Sequence, residues 1–185
     1  PYPKKMFMWS NLLLCCTECG RFKGERFPLA EDQPLLIDPT AEDPWLYLDF
    51  EPVTGNVVAR FDIQANDWSP KGLQTVEVLQ LDRREALATG YRKTFLRLSA
   101  LVEQSLATST LTAADLITAL REIDDHGLLD WCFFGSGQTV EPFSGLRTNH
   151  SQSLCKNSPR KNIGLLMIGC LSRQKSRDIF YMYLF

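Results

Sequence analysis

The sequence predicts an α+β chain, and three observations carry that prediction. Two stretches rich in aromatic and β-branched residues flank a Thr54-Gly55-Asn56 turn, apolar residues recur every three or four positions over 87–123, and a Cys16-Thr-Glu-Cys19 pair precedes both. These zones divide the chain into residues 1–28, 29–70 and 71–147, with a tail of different texture over 148–185.

Composition bounds the reading. The 185 residues suffice for one ordinary domain, or one domain and a tail. Hydrophobic content of 44% and charged content of 23% are normal for a soluble globular protein, and eleven Phe with four Trp can fill a core. A formal charge of −2 gives no global attraction for nucleic acid, so any such binding must come from a local basic patch. Of six cysteines only Cys15, Cys16 and Cys19 cluster, which fits a reducing cytoplasm and a metal-type group better than a secreted disulfide framework. The nine residues from Ile163 to Leu171 are too few to span a membrane. Because it opens on Pro1-Tyr2-Pro3 without an initiator Met, the chain reads as a fragment.

Along the chain, Leu12-Leu13-Leu14 leads into the cysteines, and residues 21–26 continue as a helical turn until Pro28 stops it. Four prolines, at 28, 34, 39 and 44, then predict an irregular connector. Trp45–Phe50 and Val57–Phe61 form a β-hairpin, since Gly55 and Asn56 tolerate the positive φ that a tight turn demands. Residues 66–70 break the chain, and Leu73, Val76, Leu79 and Leu81 mark a short amphipathic segment read as helix. A long helix follows from Asp82, its N-cap, to Ala107, with Leu87, Tyr91, Phe95, Leu98, Val102 and Leu106 on one face. Gly90 inside it should cost about 1 kcal/mol. Thr112-Ala-Ala-Asp115 caps a last helix that buries Leu116, Ile117, Leu120 and Ile123 and ends at Gly127. The segment past Thr148 mixes Lys and Arg with Ser and Asn and closes on Ile179–Phe185; it is either foreign to the domain or a basic tail ending in an apolar clip.

The two-residue gap between Cys16 and Cys19 lets both thiolates bind one tetrahedral zinc ion, but a closed site needs four ligands and no second such pair exists. His126 and His150 stand in unrelated contexts. A redox dithiol, whose usual βαβ setting is missing here, and a chance pair of cysteines are the alternatives. Asp124-Asp125-His126-Gly127 reads as an ordinary helix end, and Glu42, Asp43, Asp49 and Glu51 as a solvated rim. Gly135-Ser-Gly137 is too short for a phosphate loop.

The frame around the cysteines is more specific: Trp9-Ser-Asn11-Leu-Leu-Leu-Cys-Cys16-Thr-Glu-Cys19-Gly20-Arg-Phe-Lys23-Gly24-Glu-Arg-Phe27-Pro28. It resembles the C-terminal half of the zinc-stapled ββα motif of the HNH endonuclease superfamily, most closely the HNH proteins of retron and Septu-type anti-phage defence. The connector and hairpin over 34–58, and the approach to the long helix from Thr75, are similar to that family too, so the resemblance spans about residues 9–147.

The resemblance implies a metal-dependent nucleic-acid endonuclease, DNA being the foremost substrate, that uses Mg²⁺ or Mn²⁺ at its catalytic site and a structural Zn²⁺. Asn11 would be the catalytic-loop Asn, Cys16 and Cys19 the second half of the zinc site, and Arg21, Lys23 and Arg26 contacts to the nucleic-acid backbone. A partner ATPase of the ABC type is also implied. The long helix would serve as core or as its docking element, with core the expectation. Two departures accompany the resemblance. The general-base His and the first zinc pair would precede Pro1, and Gly20 stands where the family places an Asn or His that helps bind the catalytic metal. On these grounds the chain by itself should not cut, and a zinc-knuckle and helical module that binds nucleic acid or a partner without cutting is the alternative.

Overall fold

In a computed structural model that describes residues 15–108 and 112–145, the first regular element is α1, Thr17–Lys23. Asn11 and the tail over 148–185 lie outside the described residues. Cys16 caps α1: its backbone is extended and its Sγ accepts the Cys19 N–H at 3.3 Å. The helix stops at Gly24, earlier than a run to Arg26 would require. The proline-rich connector is irregular apart from a two-residue hairpin, β1 (Leu29–Ala30) with β2 (Gln33–Pro34), and a 3₁₀ turn at Pro44–Leu46 capped by the Asp43 carboxylate.

β3 (Leu48–Phe50) pairs antiparallel with β4 (Val57–Ala59), Leu48 facing Ala59 and Phe50 facing Val57. All four of these side chains are buried while Asp49 and Val58 are less so, the period-two alternation of a sheet covered on one face. Gly55 takes φ +84° in the connecting turn, as its position predicted. The hairpin is shorter than the sequence implied. Trp45 belongs to the 3₁₀ turn, and Phe61 starts a separate hairpin, β5 (Phe61–Asp62) with β6 (Asp67–Trp68), through residues expected only to break the chain.

α2 (Pro70–Leu79) begins at that supposed break. The Ser69 hydroxyl accepts the Gly72 N–H at 3.1 Å, and Pro70 fills the first helical position, where no N–H is needed. A Cβ on Gly72 would lie 2.1 Å from the Tyr47 carbonyl oxygen, so the absent side chain is what lets α2 rest on the β3–β4 hairpin. Leu73 stays largely exposed, while Val76, Val78 and Leu79 are buried.

Gln80 then turns left-handed at φ 52°, and Leu81 folds inward. That turn occupies the residues expected to start the long helix, so α3 runs Glu85–Thr108 and Asp82 is not its cap. Its inward face carries Ala88, Tyr91, Phe95, Leu98 and Val102, so its apolar stripe is core. Gly90 has a packing reason: a Cβ there would lie 2.6 Å from His126 Nε2.

α4 (Ala113–Ile123) is capped by Thr112, whose hydroxyl accepts the Asp115 N–H at 3.2 Å. It ends at Asp124, three residues before Gly127, which serves the following turn at φ 68°. Asp124 is buried and accepts the N–H groups of Leu128 and Leu129 at 2.8 and 3.0 Å, which starts α5 (Leu129–Phe134). No local pattern of residues marks that helix.

One hydrophobic cluster joins these pieces, from Cys19 through Trp45, Phe50 and the faces of α2, α3 and α4 to Trp131 and Phe143. Phe50 lies at its aromatic centre, with ring centroids of Phe95 at 5.6 Å and Trp131 at 5.2 Å. Two indoles tie the β3–β4 hairpin and the 3₁₀ turn before it to α5 and the turn that leads into it. Trp45 donates to the Gly127 carbonyl at 3.0 Å, and Trp131 donates to the Asp49 carboxylate at 2.5 Å. The architecture is therefore mixed α+β, with helices around small antiparallel hairpins. Among the described residues no helix is long and apolar enough to cross a membrane.

Candidate thiol site at the start of α1

Cys16 and Cys19 are brought together because the first caps the helix and the second lies one turn along it, a spacing that puts both side chains on one face. Cys16 is half-buried; Cys19 is buried in the core. Across from them stands Arg84, 65 residues on from Cys19, in the turn before α3. Its guanidinium donates to Cys19 Sγ at 2.9 Å and reaches Cys16 Sγ at 3.8 Å, while its far nitrogen pairs with Glu18 at 2.7 Å. Arg84 Nε is buried with no acceptor.

The two thiols are driven apart electrostatically. Burial raises the Cys16 pKa, but the Cys19 N–H, the Cys19 thiol and Arg84 together outweigh it and hold Cys16 below the ordinary thiol value. For Cys19, burial dominates, the hydrogen bond to Cys16 adds to it, and the thiol is pushed up to about 11 against the pull of Arg84. The outer thiol is thus the readier thiolate and the inner one its proton-bearing neighbour.

Cys16 and Cys19 supply two soft donors of the kind zinc prefers. Among the described residues no group of three or more His, Cys, Asp or Glu side chains gathers to hold a metal ion, and the cation beside both sulfurs is Arg84. The donor set thus fits zinc in kind and supplies half the required number. Gly20 offers no donor, and a Cβ there would lie 3.2 Å from Cys15 Sγ.

The basic candidates separate. Arg21 is exposed, with its guanidinium 5.1 Å from the centre of the Phe22 ring, and Lys23 is half-buried one turn from the cysteines. Arg26 donates to the carbonyls of Phe22 and of Val78, the latter at 2.9 Å, and so ties α1 to the end of α2. Asn11 lies outside the described residues.

The remaining polar groups have local work. Glu42 accepts from the Asp38 N–H, the Tyr47 hydroxyl and Lys71. These partners overcome the upward push of burial and hold its carboxyl below the usual range. Asp49 holds Trp131 and Ser136. The acidic group around the hairpin is therefore anchored more than solvated, although Glu51 remains exposed. His126 Nδ1 lies 2.8 Å from the Thr94 hydroxyl, and burial lowers its pKa. Sequence reasoning missed Arg84, because nothing local to Asp82-Arg83-Arg84 marks it as the partner of a distant cysteine pair.

No family model, no curated protein and no solved structure matches this chain.

Proposed function

We propose that this chain carries the knuckle-and-helix half of an HNH-type nucleic-acid endonuclease, with α1 as the element that meets the nucleic-acid backbone. The observation that supports it most is the placement of Cys16 and Cys19 side by side at the start of α1, with Arg21 and Lys23 on its next turn. In this reading the sulfurs hold α1 in place through a structural zinc ion completed by other residues, and the basic side chains neutralise phosphates. Arg26, engaged with two carbonyls, positions α1 and does not contact phosphate. The two histidines of the sequence lie at 126 and 150, so this chain supplies no water-activating residue in the motif and should not cleave by itself. A role in anti-phage defence and an ABC-type ATPase partner belong to the same proposal and rest on the resemblance alone.

The test is binding of the full chain to a labelled DNA duplex over a salt series. Each phosphate neutralised contributes about 0.9 to the slope of log affinity against log salt. Replacing both Arg21 and Lys23 by Gln should therefore reduce the slope by about 2 and weaken binding at every sequence tested. No measurable binding at low salt, or a slope unmoved by the double substitution, would refute the assignment. The second reading, a module that binds without cutting even in its complete form, is favoured by Gly20, which has no metal donor to offer.

A further inference from the structure

We infer that the exposed β5–β6 hairpin is the docking surface for this chain's own basic and apolar stretch, Arg173–Phe185. The inference does not rest on the nuclease reading and begins from the two faces of the hairpin. Phe61 stands opposite Trp68 and Asp62 opposite Asp67, so the pleat sends the aromatic pair to one face and the two carboxylates to the other. The rings pack edge to face with centroids 5.2 Å apart, yet remain 40% and 46% exposed, and Ile63, next along the hairpin, is 86% exposed. None of the three joins the core cluster.

The acidic face lacks a counter-charge. Asp62 Oδ1 accepts the Gln64 and Ala65 N–H groups at 2.8 and 3.3 Å, and Asp67 Oδ1 accepts the Trp68 N–H at 2.7 Å. Neither carboxylate pairs with a cation among the described residues. The cations that flank the hairpin in sequence are engaged elsewhere, Arg60 with the Trp45 carbonyl and Lys71 with Glu42. Like charges directly opposite one another across a strand pair are destabilising, so a cation brought to this face relieves a repulsion as well as gaining a partner.

Charge selects the occupant. Residues 15–145 hold 21 Asp and Glu against 11 Lys and Arg, a net −10 that opposes a second copy of the same surface. Residues 146–185 hold seven Lys and Arg against a single Asp. Within them Arg173, Lys175 and Arg177 precede Ile179-Phe-Tyr-Met-Tyr-Leu-Phe185, so cations and apolar side chains adjoin as carboxylates and rings do on the hairpin. The 27 residues between Gly145 and Arg173 can extend roughly 90 Å, enough to reach any face of a body this size. Covalent attachment also holds the stretch at a high effective concentration. Exposed ion pairs contribute little singly, so contact with Phe61, Ile63 and Trp68 supplies the affinity and the cations the placement.

The experiment treats the full chain at low salt with a carbodiimide, which joins carboxylates to amines in direct contact, and maps the links by mass spectrometry. Mixing isotope-labelled with unlabelled protein separates links within a chain from links between chains. Asp62 or Asp67 should be joined to Lys175 within one chain, and the yield should fall several-fold when salt is raised to about 0.5 M. Phe61→Ser with Trp68→Ser should lower it several-fold while leaving both carboxylates in place. Ile179→Ser with Phe180→Ser, which changes no residue of the described body, should do the same. Links from Asp62 and Asp67 only to lysines other than Lys175, or to no lysine, would overturn the docking. Links found only between chains would give the surface to a second copy and overturn it equally. A yield unmoved by Ile179→Ser with Phe180→Ser would overturn the apolar contact. None of these readouts involves nucleic acid, so failure here and failure of the nuclease reading remain distinct.

Discussion

Replacing Gly90 by Ala tests the packing of α3 against the turn after α4. In an exposed helix interior this change stabilises by roughly 0.5–1 kcal/mol, because Ala loses less backbone freedom on folding. Here the new methyl would fall 2.6 Å from His126 Nε2 and 3.1 Å from Cε1. The ring cannot simply swing aside: its Nδ1 is engaged with Thr94, and its centre lies 4.8 Å from that of the Tyr91 ring. Forcing a packed ring to shift costs about 1–3 kcal/mol. The net result should be a loss of about 1 kcal/mol, opposite in sign to the helix propensity. In an His126→Ala background the obstruction is gone, so the same substitution should stabilise by roughly 0.5–1 kcal/mol, a coupling near 2 kcal/mol. Urea unfolding of the four proteins, followed by circular dichroism, reads both values. If Gly90→Ala stabilises equally in both backgrounds, the contact with His126 does not constrain α3 and the reasoning fails.

Two further outcomes follow from the same region. Asp124→Ala leaves the N–H groups of Leu128 and Leu129 without their acceptor in a buried turn and should cost about 2–4 kcal/mol in urea unfolding, whereas Asp124→Asn, which keeps an acceptor oxygen, should cost less. Burial depresses the pKa of His126 in the folded state, so the unfolded chain binds the proton more readily. Its contribution to stability is therefore complete above the ordinary histidine value of 6.5 and is lost as pH falls toward the lower folded value. Unfolding free energies measured from pH 7.5 down to 5 should fall more steeply for the parent than for His126→Gln; parallel profiles would refute the assignment.

The elements that the sequence revealed are those whose determinants lie within a few residues of one another. Gly55 needs only its own φ, and Thr112 needs only the Asp115 N–H, so the hairpin turn and the start of α4 were legible. α5 was not. Leu128, Leu129, Trp131, Cys132 and Phe133 are all buried, so no polar face gives the run a helical period, and its first N–H groups are satisfied by Asp124 at a distance of four and five residues. The start of α3 was misplaced because Asp82 looks like a cap, while the decisive events are the left-handed Gln80 and the burial of Leu81 before it. At the thiol site, the cysteine pair was visible and its cation was not. Arg84 reaches Cys19 through the tertiary fold, across 65 residues, and no local pattern encodes that approach.

The paired indole bonds bear on how the protein must be made. Trp45 to Gly127 and Trp131 to Asp49 each close a loop of 82 residues, so neither Trp45 nor Asp49 finds its partner until most of the described chain exists. At about 5–20 residues per second, a ribosome takes roughly 4–16 s to supply those partners. Throughout that interval Leu48, Phe50 and Val57 have no α5 to cover them. α2 follows within about a second or two of the hairpin and covers part of it, so the face left open longest is the one that Phe50 turns toward Trp131, the kind of transiently exposed apolar surface that favours aggregation.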